Sequence, residues 1–524
     1  MNSTVSLAGR IMSSSPVCSM MRLATFGALA CALQSTPAPP ATPATTLANR
    51  GLDPADTLGP VSIETNEIPG VGAGRPSLPY TPNYDPDVAL STPQLVSLHG
   101  YPSESHVVVT EDGYLLTLHR IPGGRNHRGP SGGAAARPVV FLQHGLLASS
   151  ADWVLTGPGK SLAYILADSG YDVWMGNARG NTYSRAHVSL STKDSAFWNF
   201  SWHEIGHYDL PAAIDHVLQV TGQKSLFYIG HSMGTTTFYV MLSTRPEYND
   251  KVMAGLLLAP VVYLGNCRSP IRYLAPYADD YQYLAHLFGA DEFLPQSGAL
   301  QFFAKYGCEL AMFELKLCEN SIFVICGFDK DQFNSSMLPA VLSHTPAGTS
   351  SKTVTHFAQS ILTGKFKPFG ATPETPEYDL GKVTVPTAAF YADNDLLSDP
   401  ADVQQLFDKV PMKLGKFRVA LPSFNHLDFL WGKSAKKLVF DDVLAVLARF
   451  GPETMRNRSM AVLAYYRMLV QQSGRRPGPA PNPWPALGPA PASDSSSTPF
   501  SDEASEVTSE VPSESSTESS SEYL

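Results

Sequence analysis

Basic residues are scarce here, and after Arg476 there are none at all, although Asp494, Asp502, Glu503, Glu506, Glu510, Glu514, Glu518 and Glu522 all follow. Those eight acids carry most of the formal charge of -10, so the part of the chain before them is nearly neutral. The basic stripe that a nucleic-acid binder needs is missing, which excludes that class of partner. Cysteine is sparse too. Six are present, and Cys18 and Cys31 fall in or before an N-terminal apolar run. The remaining four, Cys267, Cys308, Cys318 and Cys326, have no zinc-site spacing, so neither a metal nor a cofactor is expected. Nor is there a permanent membrane span: the apolar run Leu23–Leu33 is too short to cross a bilayer.

What that short run offers instead is a signal peptide over residues 1–33, with Met20 or Met21 as alternative starts, because Arg22 supplies one positive charge just before it. The cysteines fit an oxidising compartment. Cys308 and Cys318 are near enough to close a short loop, while pairings that use Cys267 or Cys326 stay open. Asn199, Asn334 and Asn457 each head an Asn-x-Ser pattern and become glycosylation acceptors in a secreted chain. Residues 34–82, dense in Pro, Ala and Thr, read as a linker. Residues 473–524, rich in Ser, Glu and Pro, read as a disordered tail. Between these ends lie a core region, 83–450, and a helical extension, 451–472.

The core region alternates strands and helices. His106–Thr110 and Tyr114–Leu118 flank Glu111-Asp112-Gly113 and read as a hairpin. Pro138–Leu142, Tyr171–Met175, Leu226–Gly230 and Met253–Ala259 are short apolar runs of the kind buried on both faces of a sheet. Ser161–Ser169 and Glu204–Val220 have helical spacing, so a mostly parallel sheet with helices on both faces is expected. Alternation stops over residues 263–379, where apolar clusters at helical spacing point to an inserted, mainly helical cap or lid. It resumes with Val383–Tyr391, a helix over Ala401–Val410, a last strand Lys416–Leu421 and a closing helix over Asp441–Phe450.

The chemistry centres on Gly230-His231-Ser232-Met233-Gly234, which stands between a strand and a helix. That context is the nucleophile elbow, whose glycines let strand and helix pack around a turn that exposes the serine hydroxyl. The N–H of Met233, at the helix start, faces a developing negative charge. Leu146, after His144-Gly145 at the end of an earlier strand, is placed to supply a second such donor, while His144 itself reads as a packing residue. Asp395 and His426 each lie just past a later strand. Asp399, before Pro400, has the pattern of a helix N-cap. Ser232, Asp395 and His426 therefore form a candidate triad of nucleophile, acid and base. A serine hydroxyl is a poor nucleophile until an imidazole takes its proton, and the carboxylate holds that imidazole in the working tautomer.

With these residues in place the chain resembles the acid lipase family, which includes gastric, lysosomal and insect digestive lipases. The resemblance rests on Thr110–Tyr114, Leu142–Ser149, Gly176-Asn-Ala-Arg-Gly-Asn-Thr182, Gly230–Gly234, Ile325–Phe328, Asp395–Pro400 and Asn425-His-Leu-Asp-Phe429, and spans about Asp87 to Phe450. It implies an α/β-hydrolase fold, with Ser232, Asp395 and His426 as the triad and Leu146 and Met233 as oxyanion donors. It also implies a cap over 263–379 and a cap disulfide between Cys308 and Cys318. The chain departs from gastric and lysosomal members at Met233, where they carry Gln; a backbone N–H does the work there, so activity is not expected to suffer. Cys267 has no family partner.

The function so implied is hydrolysis of neutral lipid esters, triacylglycerol or cholesteryl ester, through an acyl-Ser232 intermediate at a lipid–water interface. The location implied is secretion or the lysosome. Two other classes fit less well. A lipid carrier on a hydrolase scaffold has no need of all three triad residues, and an acyltransferase has to keep water from the acyl-enzyme. No feature of the sequence specifies an oligomeric state.

Overall fold

The computed structural model of the chain describes residues 86–125, 137–287, 291–295 and 323–449, and the elements and contacts below belong to those residues. The signal segment 1–33, the linker 34–82, Cys308, Cys318, Asn457, the extension 451–472 and the tail 473–524 lie outside them.

A short helix α1 (Thr92–Leu98) leads into strands β1 (Glu104–Val109) and β2 (Tyr114–Ile121). They pair antiparallel around Asp112-Gly113, where Gly113 takes a φ of +94° that a side chain would resist. Next come β3 (Val139–Gln143), α2 (Leu162–Asp168), β4 (Asp172–Met175) and a two-residue strand, β5 (Ala186–His187). Helix α3 (Leu210–Thr221), strand β6 (Leu226–His231), helix α4 (Met233–Thr244) and strand β7 (Val252–Leu258) follow. Strand order is β1-β2-β4-β3-β6-β7, then β10 (Thr387–Tyr391) and β11 (Lys413–Arg418), with β5 on the side of β2. From β4 across to β11 every neighbouring pair is parallel. The expected mostly parallel sheet is what forms.

Every residue of β3, β6 and β7 is buried, as continuous apolar strands covered on both faces should be. One face packs against α2 and the C-terminal helix α9 (Asp441–Arg449) through Leu162, Leu166, Val443 and Leu447. The other packs against α3 and α4 through Ile214, Val217, Phe238 and Leu242.

Inside the insertion the described elements are helices α5 (Ala278–Leu287), α6 (Leu338–His344) and α7 (Ser351–Thr363), with a small ribbon of β8 (Glu292–Phe293) and β9 (Thr349–Ser350). Beyond β10 runs α8 (Pro400–Lys409), whose N-cap is Asp399; its carboxylate accepts the Ala401 N–H at 2.8 Å, as the Asp-Pro pattern suggests.

Three elements differ from the sequence reading, and the first is the strand expected over Val383–Tyr391, which begins only at Thr387, past Pro386. The last strand begins at Lys413 and ends at Arg418, rather than spanning Lys416–Leu421. It is an edge strand with Lys and Arg on its open face, so it needs no apolar run, and Phe417–Leu421 marked its place too late. The helix expected over Glu204–Val220 is not uniform either. It starts at Trp202 and widens into a π turn over Ile205–Asp209 before α3. At Gly206 a Cβ would stand 2.7 Å from Thr237 O, so this turn lies hard against α4.

Candidate active site

Ser232 sits between β6 and α4 with φ +52° and ψ -119°, a conformation that costs a non-glycine residue about 1–3 kcal/mol and persists only where packing enforces it. The packing here does so. A Cβ at Gly230 would stand 2.8 Å from Gly234 C, and one at Gly234 would stand 2.4 Å from Gln143 O. Only glycines let strand, helix and the end of β3 come this close. The reading of both glycines as steric necessities holds.

The loop after β3 passes directly beside the serine. At Gly145 a Cβ would lie 3.1 Å from Ser232 Cβ, so the loop that carries Leu146, the next residue, runs against the nucleophile. Met233 is the first residue of α4, directly after the serine. The loop is held by His144. This ring's Nδ1–H donates to Gly145 O (2.8 Å), while Nε2 accepts the Ala178 N–H (3.0 Å) and the Asn181 amide (3.2 Å). Burial depresses His144 to a pKa of about 4 and so keeps it neutral, with one nitrogen donating and the other accepting. It packs and braces, as expected from the sequence, and is not poised to take a proton.

Asp395 and His426 come together from the loops after β10 and β11. His426 Nδ1 is 2.8 Å from Asp395 Oδ2, with the carboxylate 0 % and the imidazole 3 % exposed. The other carboxylate oxygen accepts the N–H groups of Leu397 (2.9 Å) and Ser398 (2.8 Å). Nδ1–H of His426 is thereby committed to the carboxylate, which leaves Nε2 as the basic nitrogen. The pair reaches the elbow through His231, whose Nε2 is 3.0 Å from the His426 carbonyl oxygen and whose ring lies 4.9 Å from the His426 ring.

A strap from Cys326 to Gln332 ties the two loops from behind. Cys326 O accepts N–H bonds from both Leu396 and His426. Gly327, at φ +119°, lies where a Cβ would be 2.1 Å from Asn394 O, so no side chain is tolerated. Asn425 donates to Gly327 O at 2.9 Å, and Asn394 donates to Phe328 O at 3.0 Å. Below them the Asp428 carboxyl accepts the Asn425 N–H (2.7 Å) and lies near that of Asp329. Burial, with Asp329 and Asp395 nearby, pushes Asp428 up to about 8. At neutral pH the Asp428 carboxyl is therefore largely protonated in the folded chain.

The Gly176–Thr182 loop supplies a further brace. Arg179, 1 % exposed, donates to Asp209 Oδ1 from Nε (2.7 Å) and to both Asp112 oxygens from Nη1 (2.5 Å) and Nη2 (2.8 Å). Its guanidinium also covers the Tyr114 ring at 4.0 Å. One side chain thus locks the hairpin turn, the oxyanion side of the sheet and the π turn together.

Among the other residues singled out in the sequence, Asn199 is exposed and accepts a bond from Lys352 (3.0 Å). Asn334 is half-buried and accepts one from Ser336 (3.1 Å). Cys267 and Cys326 are buried free thiols. No group of three or more His, Cys, Asp or Glu among the described residues could hold a metal. The sequence reading assigned nothing to His231, Arg179, Asp329 or Asp428. All four lie in or beside motifs that it quoted, and their partners, such as Asp209 for Arg179 at 30 residues and His426 for His231 at 195, lie far along the chain, so only the folded chain pairs them.

The chain matches known proteins over this same region. A family described as a partial alpha/beta-hydrolase lipase region matches residues 92–157, and one described as the alpha/beta hydrolase fold matches residues 138–433. Lipase 1 of Drosophila melanogaster is 43% identical over 392 residues, covering 72% of this chain and 84% of that protein. Gastric triacylglycerol lipase of Homo sapiens is 41% identical over 374 residues, 69% of this chain and 92% of that one. Lysosomal acid lipase/cholesteryl ester hydrolase of Homo sapiens is 38% identical over 377 residues, 70% and 92% respectively.

Proposed function

The chain belongs to the α/β-hydrolase lipases typified by the gastric and lysosomal acid enzymes, and we propose that it hydrolyses neutral lipid esters through an acyl-Ser232 intermediate. The observation that carries the mechanism is the 2.8 Å bond between Asp395 and His426, whose loop His231 joins to a serine held at φ +52°.

In the proposed reaction, His426 Nε2 takes the Ser232 proton as the serine oxygen attacks the ester carbonyl carbon. Negative charge collects on the carbonyl oxygen, and the N–H groups of Leu146 and Met233 receive it. The imidazolium, held by Asp395, then returns its proton to the departing alcohol oxygen as the C–O bond breaks. Water repeats the sequence on the acyl-enzyme, releasing the fatty acid and restoring Ser232. Every proton is handled by His426, so the chemistry asks for no metal or cofactor.

The insertion 263–379 serves, in this reading, as a cap over the substrate path. Its described surface exposes Tyr273, Leu274, Tyr277, Tyr283 and Leu287, apolar groups suited to a lipid–water interface. No helix among the described residues is long and apolar enough to cross a membrane. We place the protein in the secretory route, outside the cell or in the lysosome, with a Cys308–Cys318 bridge in the cap and sugars on Asn199, Asn334 and Asn457.

The experiment is fatty-acid release from emulsified triacylglycerol and from cholesteryl ester, with Ser232→Ala alongside. Release that disappears in the variant supports the reading and ranks the two lipids. Folded protein that releases nothing from either lipid or from a short-chain ester overturns it.

A further inference from the structure

We propose that the His231 imidazole sets the relative position of nucleophile, base and oxyanion loop, as a positioning residue that never touches substrate. The inference rests on the triad reading above and adds to it a residue with no role in the proton transfers.

The need for such a residue follows from the sheet. His426 sits in the loop after β11, and between β11 and β6 stand β10 and β7. Three strand spacings separate the base's own strand from the elbow, about 14 Å. The base loop must therefore reach back over two strands, and its strand is at the sheet edge. His231 is where it makes contact. This residue ends β6 with its backbone paired to Leu258, and Ser232 N–H continues the same ladder to Leu258 O at 3.1 Å. Its ring is thus anchored in the rigid centre of the sheet, one peptide from the nucleophile.

Three contacts converge on that ring. Nε2 lies 3.0 Å from His426 O; a carbonyl can only accept, so Nε2 carries the hydrogen. The ring also lies 4.9 Å from the His426 ring at an interplanar angle of 47°. On the other side, Nδ1 is 3.2 Å from the position of a Gly145 Cβ and has no hydrogen-bond partner among the described residues. The ring thus fills the space between the base loop and the start of the oxyanion loop. It is 3 % exposed, so water cannot replace its bond to the base. Burial, with the neighbouring His426 and His144 rings, holds His231 well below the ordinary histidine range. The ring therefore stays neutral in mild acid and adds no charge next to the imidazolium that forms on His426.

The test compares His231→Met, which fills the space without a donor, with His231→Gln, whose amide can reach the same carbonyl. Both are assayed in the full chain on p-nitrophenyl butyrate, with rates expressed per site titrated by a p-nitrophenyl phosphonate so that any misfolded fraction drops out. The expected result is a kcat lowered about 10- to 100-fold in His231→Met, the scale of a small misplacement of reacting groups, with KM within about 2-fold of the parent. His231→Gln should recover to within about 5-fold of the parent. If His231→Met does not fold, His231→Asn, whose amide is too short to reach the carbonyl, takes its place against His231→Gln with the same expectation.

A kcat per titrated site that is unchanged in His231→Met, or lowered equally in His231→Gln, overturns the inference. Ser232→Ala separates this from the reading beneath it. Loss of activity in that variant together with an unaffected His231→Met refutes the positioning role alone, whereas retained activity in Ser232→Ala refutes the triad itself.

Discussion

Asp395 holds His426 with one carboxylate oxygen, Oδ2, at 2.8 Å from Nδ1, while its other oxygen is already engaged by the Leu397 and Ser398 N–H groups. The carboxylate cannot rotate without giving up two backbone bonds, so it fixes both the tautomer and the tilt of the imidazole.

Asp395→Asn should therefore leave the loop in place, since an amide oxygen can still accept the two N–H bonds. If its NH2 turns to Nδ1, the imidazole proton is forced onto Nε2 and the base is lost. The expected outcome is a kcat about 10,000-fold lower with a thermal midpoint close to the parent's. Steady-state kinetics and thermal denaturation check this together.

Asp428 makes stability depend on pH. Its folded-state pKa of about 8 lies above the ordinary carboxyl value, so the folded chain binds a proton that the unfolded chain has released. The corresponding stability is fully present below the unfolded value and is lost as pH rises through the folded one. Asp428→Asn mimics the protonated carboxyl and can still accept from the Asn425 N–H. Its thermal midpoint should gain on the parent's steadily from about pH 5 to pH 8. A constant difference across that range would contradict a carboxyl that keeps its proton in the folded chain.

Removing Arg179 strands two carboxylates. Arg179→Met should destabilise the chain by about 3–5 kcal/mol, because Asp209 is wholly buried and loses its cation. Arg179→Lys should recover little of this, since a single ammonium cannot replace a guanidinium that bonds Asp112 through two nitrogens and Asp209 through a third. Urea denaturation of the three proteins measures the effect.

Much of this was legible in the sequence because local rules and global fold agree there. Val139–Gln143, Leu226–His231 and Val252–Leu258 are buried on both faces, so apolar run, strand and sheet centre coincide. Ser232 and Asp395 each follow such a strand, and His426 follows the last strand of the sheet, which is why chain order alone brought them forward. At the sheet edge that agreement fails. In Lys413–Arg418 only Leu414 is buried and Lys416 and Arg418 are exposed, and no apolar run marks where pairing begins. The π turn at Ile205–Asp209 was hidden for a different reason: it leaves the helical spacing of the apolar residues unbroken, and its close packing on α4 shows only in the folded chain. His231 likewise reads as an unassigned letter between Gly230 and Ser232 until His426, 195 residues later, is laid against it.

The most direct test of the account is covalent labelling with a p-nitrophenyl alkylphosphonate, followed by peptide mapping alongside the loss of lipase activity. The predicted result is one adduct per chain, on Ser232, with activity falling in step with its formation and no labelling in Ser232→Ala or in His426→Ala. Activity that survives full modification of Ser232, or that disappears with the label on another residue, would contradict the assignment of Ser232 as nucleophile.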